Sequence, residues 1–181
     1  TAGNPQPIVP DAVNDGTFTI AGEPPPAEET TVTIDDALDV PVDGAATVWI
    51  TIETDDPDGV GSANIRLEYD KDVVIVEGIS DGDLGAVTPN IDNDNGVATL
   101  VALTGASPGP TGTVEFCDVE LRAVGDAGDE SALDITVVEL NDGTAGNPQP
   151  IVPDAVNDGT FVIAGEPPPP EGTTVTIDDA L

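Results

Sequence analysis

The chain has 181 residues, with 36 acids against three bases and no histidine, a formal net charge of −33. That balance excludes nucleic acid as a partner, because no Lys/Arg cluster exists to displace phosphate counterions, and it disfavours an anionic membrane surface. With one Lys, one Cys and no His, the usual general bases and activated nucleophiles are missing, so the chain reads as a non-enzyme.

The chain opens with TAGNPQPIVPDAVNDGTFTIAGEPPPAEETTVTIDDAL at residues 1–38, and the same stretch returns at 144–181. Three positions differ: Thr19 against Val162, Ala27 against Pro170, and Glu29 against Gly172. A period of 143 residues is a whole domain and not a short solenoid repeat. The expected division is a strand region closing a preceding repeat (1–22), a linker (23–29), one complete unit (30–164), a second linker (165–171) and the first strand of a following repeat (172–181). Pro24, Pro25 and Pro26, and Pro167, Pro168, Pro169 and Pro170, make both linkers stiff extended spacers. Thr17, Phe18, Thr19 and Ile20, with Thr173, Thr174, Val175 and Ile177, are the expected contacts between units. These strands lack partners in their own unit, so either the chain samples a longer covalent array or neighbouring subunits exchange strands.

Within the unit every substantial run has period two, and none sustains helical spacing. Disorder is excluded, because residues 45–140 are dense in Val, Ile and Leu with clear alternation. Nine strands are expected: 30–35, 46–53, 62–69, 73–79, 86–91, 97–103, 114–124, 132–140 and 160–163. In the second, Val48, Ile50 and Ile52 point inward, and Trp49 faces out, under a loop or towards another unit. Asn95-Gly96 supplies positive φ for a hairpin between the fifth and sixth. The inward set of 114–124 changes phase near Cys117–Asp118, which predicts a β-bulge. Many short strands with turns between them argue an all-β sandwich.

The charge has three candidate causes: a high-salt habitat, calcium neutralising clustered carboxylates, or the solubility of an extended array. One period carries 30 acids and three bases once the second copy's six acids are set aside, a net of −27. Calcium takes oxygen ligands from flexible loops, and the candidates are Asp55, Asp56 and Asp58, the pair Asp81 and Asp83, and Asp92 and Asp94 with Asn90 and Asn95. Asp35 and Asp36, beside the linker, are candidates for a metal between units. Against this, Asp, Asn and Gly are ordinary turn residues, and the Asp92–Asp94 loop, with its D-x-D spacing, lacks the Glu of an EF-hand at its twelfth position. Cys117 reads as a buried small hydrophobe, and one Cys per period allows no disulfide within a unit. Thr30-Thr31 and Thr173-Thr174, beside proline runs, are O-glycan candidates, and no Asn-X-Ser/Thr sequon exists.

Val40-Pro41-Val42-Asp43-Gly44 is followed by GVGSANIRLEYDKDVVIVEGI (59–79), IDNDNGVATLVAL (91–103), GTVEFCDVELRAVGDAGDESALDITVVELNDG (112–143) and a closing NDGTFVI (157–163). This order of features resembles a cohesin module. The resemblance implies a nine-stranded jelly-roll sandwich with a binding or scaffolding role outside the cell, and dockerin-like modules as partners. A dockerin's own duplicated calcium loop is absent from this chain. Together these observations predict cohesin-like sandwiches joined head to tail, a structural subunit of an extracellular filament or cell-surface fibre whose main partner is itself. A scaffold that docks dockerin-bearing or carbohydrate partners is the alternative, and an exposed apolar patch on one sheet face would favour it.

Overall fold

The computed structural model describes residues 29–165. Thr17–Ile20, Thr173–Ile177 and all seven linker prolines lie outside the described residues. Eleven strands follow in order: β1 Thr30–Ile34, β2 Ala37–Val40, β3 Ala45–Thr54, β4 Val60–Tyr69, β5 Val74–Asp81, β6 Thr88–Asp92, β7 Val97–Leu103, β8 Gly112–Ala123, β9 Glu130–Asp142, β10 Ala155–Asn157 and β11 Gly159–Ile163. All nine expected strands are present. The two additions, β2 and β10, have four and three residues and burial patterns that do not alternate, so no period-two signal marks them.

The strands form a five-stranded sheet in the order β10-β1-β3-β8-β5 and a six-stranded sheet in the order β2-β11-β9-β4-β7-β6. Two of the pairings are parallel, β1 with β10 and β2 with β11. The first and last segments of the unit therefore run side by side and cross together from one sheet to the other. The crossing point is Asp35-Asp36. The Asp35 N–H donates to the Trp49 carbonyl at 3.0 Å, and the Asp36 carboxylate accepts from the Thr160 N–H at 2.8 Å. A Cβ on Gly159 would come within 2.6 Å of the Asp35 carbonyl oxygen, so only glycine permits this approach.

Between the sheets the alternating inward residues make one core, with Phe116, Phe161, Ile50, Ile52, Ile65, Leu67 and Leu100 among its fully buried members. Truncating either buried Phe costs roughly 3–5 kcal/mol by analogy with other cores. The bulge in β8 lies one residue before its expected place. Ile50 opposes Cys117 while Thr51 opposes Glu115, which leaves Phe116 as the extra residue. Phe116 and Cys117 are consecutive and both buried, as a bulge requires.

The β6–β7 hairpin holds the two sheets together at one edge. Gly96 has φ +66, as expected, and a Cβ there would sit 2.2 Å from the Tyr69 carbonyl oxygen. Asn93 turns inward across the gap. Its Oδ1 accepts from the Tyr69 hydroxyl at 2.6 Å and the Val76 N–H at 3.0 Å, and its Nδ2 donates to the Val76 carbonyl at 3.0 Å. An amide side chain thus imitates a strand partner for β5 while tying β4 to it. Asn93→Ala should destabilise the unit by about 2–3 kcal/mol, because it strands two half-buried backbone groups and a hydroxyl. Asn93→Asp keeps the acceptor and should fall between the two in urea melts.

Candidate functional site

The outer face of the six-stranded sheet is a regular surface that no other described strand covers. Its outward residues come from alternate positions of β6, β7, β4 and β9, aligned in cross-strand rows by the register. One row is Thr88, Val101, Asn64 and Glu139; the next is Asn90, Thr99, Arg66 and Thr136; a third is Asp92, Val97, Glu68 and Asp134. Val101 and Leu103 stand outward on β7 with 37% and 68% of their surface exposed. Beside them Asn64 has its Oδ1 buried with no hydrogen-bond partner. Ser62, Asn64, Val101, Leu103 and Glu139 line a cavity of about 230 Å³ on this face. Arg66 is paired with Glu68 at 2.7 Å, so the one cation of these rows is largely neutralised and the face is net acidic.

This face runs into a cleft of about 440 Å³ at one end of the sandwich, lined by Gly61, Ser62, Leu103–Ser107 and Asp142–Gly146. The cleft exists because three loops meet backbone to backbone. The Gly109 N–H donates to the Asp58 carbonyl at 2.8 Å, Val60 N–H to Pro110 at 2.9 Å, and Thr104 N–H to Gly61 at 2.9 Å. Gly59 has φ +63, and a Cβ there would lie 2.3 Å from the Gly109 carbonyl oxygen. The GVGS motif is therefore a packing device at the rim of the cleft. Asp142 closes the far wall. Its carboxylate accepts from the N–H groups of Gln149 at 2.8 Å and Thr144 at 3.0 Å, which holds its pKa below the ordinary carboxylate value.

Several of the acids proposed as metal ligands accept hydrogen bonds in their own turn or from a neighbouring strand. Asp56 Oδ1 accepts from the Asp58 N–H at 2.9 Å, and Asp92 holds Asn95 through both its N–H and its side-chain amide. Asp81 accepts from Val87, and Asp83 from Glu115. Asp55, Asp94 and Asp35 are exposed. Among the described residues no group of three acids or cysteines is placed to hold a metal ion by itself. Calcium at Asp55, Asp56 and Asp58, or at Asp92 and Asp94 with Asn90 and Asn95, would need carbonyl, amide or water oxygens beside the carboxylates.

On the opposite sheet Trp49 is half-buried on the outer face across from Asp118, as its alternation implied, and Asp118 has one buried oxygen without a partner. Cys117 is fully buried. Desolvation first, and then the Asp118 carboxylate, push its thiol up to about 12. It is inert packing and not a nucleophile. No described helix is long and apolar enough to cross a membrane.

The family model for the cohesin domain matches residues 30–163, most of the chain. The chain belongs to the cohesin domain family. A search of curated proteins returns no match. Among solved structures, the fold is similar to the seventh ScaB type I cohesin of Pseudobacteroides cellulosolvens, at 16% identity and a TM-score of 0.64, covering 81% of this chain and 99% of that one. It is also similar to the third ScaC cohesin of Acetivibrio cellulolyticus, solved in complex with the ScaB dockerin, at 16% identity and TM-score 0.63, covering 75% and 99%. A cohesin module of a Clostridium perfringens family 33 glycoside hydrolase matches at 20% identity and TM-score 0.53, covering 77% and 98%. The matched regions thus share the two-sheet sandwich, at identities where fold alone is informative.

Sequence reasoning missed Asn64, Val101 and Leu103 as a group. They lie on two strands far enough apart in sequence that only the β4–β7 register brings them together. Asp142 was likewise unmarked. Because its folded pKa is depressed, its contribution to stability is fully present above the unfolded value of 3.8 and disappears as pH falls through the folded value. Asp142→Asn should therefore melt below the parent at pH 6, and the gap should close below pH 4 in thermal scans.

Proposed function

We propose that this cohesin module is a non-catalytic docking unit of an extracellular or cell-surface scaffold, and that a dockerin-like partner seats on the outer face of the six-stranded sheet. The observation that carries this reading is the exposed Val101–Leu103 ridge beside the unpartnered Asn64 acceptor. Exposed apolar side chains flanked by polar ones are what a docking face needs. Similar cohesins have been solved with dockerins, which supports the partner class. The acidic rows favour a partner that brings Lys or Arg to the contact. Leu103→Glu should leave the melting temperature within about 2 °C and weaken binding of a cognate dockerin module at least roughly tenfold by calorimetry. Unchanged affinity would remove the ridge from the interface.

The duplicated sequence favours a second reading, in which such units repeat head to tail in a filament or surface fibre, with Pro-rich linkers at 23–29 and 165–171. Near-identity of the repeated stretch suits a cable whose links are alike. The carboxylates bear on where such a fibre works. In brine, or with calcium bound diffusely or at loops such as Asp55–Asp58, the self-repulsion of about 27 net charges per period would be relieved. Residues 29–165 should melt lowest in low salt with chelator and gain stability in molar NaCl. If a few millimolar Ca²⁺ stabilises where NaCl of equal ionic strength does not, specific calcium sites exist; a midpoint insensitive to both removes the charge argument.

A further inference from the structure

The seam of the sandwich is made from the duplicated sequence itself. Residues 149–163 hang on the unit by backbone contacts along their whole length. The Gln149 carbonyl accepts from Asp142 N–H and the Ile151 N–H donates to Leu140; Asp154 N–H donates to Thr30; β10 then pairs with β1, and β11 lies between β2 and β9. The Asp154 carboxylate accepts from the Thr30 N–H, and Asp158 from the Ile135 N–H. Phe161 and Ile163 are fully buried. Residues 6–20 reproduce this segment with one difference, Thr19 for Val162. Val162 is half-buried on the face away from the core, where Thr fits as well, and Thr is a strong strand former. Phe18, Ile20, Gly16, Asp11 and Asp15 stand where Phe161, Ile163, Gly159, Asp154 and Asp158 do. Apart from Val162, the copy has kept every residue of the seam.

We infer that residues 6–20 are a competent donor strand for the β10–β11 seam of a second copy of this chain. In the seam Ile163 lies opposite Val40, at the far end of β2. With Ile20 in that place, the ten steps from Ile20 to Thr30 would have to return past β2 and β1, a contour of at most about 33 Å at ~3.3 Å per residue that the crossing at Asp35-Asp36 shortens. An extended chain of ~3.3–3.6 Å per step spans it, so self-donation is reachable but leaves residues 21–29 little slack. A neighbouring molecule imposes no such limit. While β11 is intact, exchange replaces one copy by its equal and leaves as many strands unplaced as before, so the intact chain has no drive to assemble this way. Opening or damaging the local copy changes that balance, and the neighbour's segment then extends the sandwich head to tail, a heterologous contact that propagates. This inference does not depend on docking at the outer face, because the seam and that face are separate surfaces.

The test is the full chain carrying Phe161→Asp and Ile163→Asp, followed by light scattering after size exclusion. Oligomers that keep their β-sheet dichroism and shield Cys117 from a thiol dye are expected. Adding Phe18→Asp and Ile20→Asp should return monomers that label at once, and a synthetic peptide of residues 6–22 should then restore the shielding. A monomeric double variant, folded or unfolded, overturns the inference. So does assembly that survives in the quadruple variant, or a peptide that restores nothing.

Discussion

The fold depends on a pairing that closes only when the chain is nearly finished. The first and last segments of the unit lie parallel, β1 with β10 in one sheet and β2 with β11 in the other, and both cross between sheets at Asp35-Asp36 and Asp158-Gly159. Parallel strands cannot be joined by a tight turn, so this contact spans more than 120 residues of sequence. Until it forms, Phe161 and Ile163 have no core to enter, β9 has an open edge over its first half, and Ile34 and Ala37 are exposed on one side. Such long-range closure is entropically late and makes slow folding the expectation.

The same pairing sorts the surface. With the core filled by alternating Val, Ile, Leu and Phe, the acids are left on turns and outer faces, where water and counterions screen them. The three cations are spent locally, Lys71 on Asp72, Arg66 on Glu68 and Arg122 on Glu77, and all three pairs are solvent-exposed and contribute little. Carboxylates instead do backbone work. Asp36, Asp56, Asp83, Asp142, Asp154 and Asp158 each accept from an N–H that the sheets leave over. Aspartate, with its short reach, suits that task, which gives the preference for Asp over Glu (24 against 12) a structural component besides its charge.

The docking reading and the fibre reading use different parts of the molecule. An apolar ridge sits on β7 of one sheet face, and the seam strands β2 and β11 sit at the opposite margin of that sheet, with β1 and β10 at a margin of the second. A scaffold whose units join through one surface and recruit through another needs this separation, because occupancy of one then leaves the other free.

The strand complement was legible in the sequence because alternation is a local property. Ile50, Ile52, Ile65, Leu67 and Leu121 are inward by parity alone, and the phase slip of β8 placed its bulge to within a residue. The repeat and its three divergences were equally plain. What the sequence could not show is everything that depends on which strand lies beside which. β2 and β10 are too short to alternate, and they exist as strands only because partners 120 residues away supply their hydrogen bonds. D-x-D spacing fits both calcium and turns, and only the folded backbone shows which donors several of those carboxylates accept from. Asn64, Val101 and Leu103 became one site through register between β4 and β7, a relation that no local pattern encodes. Sequence parity determined what each residue faces, and tertiary pairing decided what it meets, because burial repeats along the chain while neighbourhood is set across it.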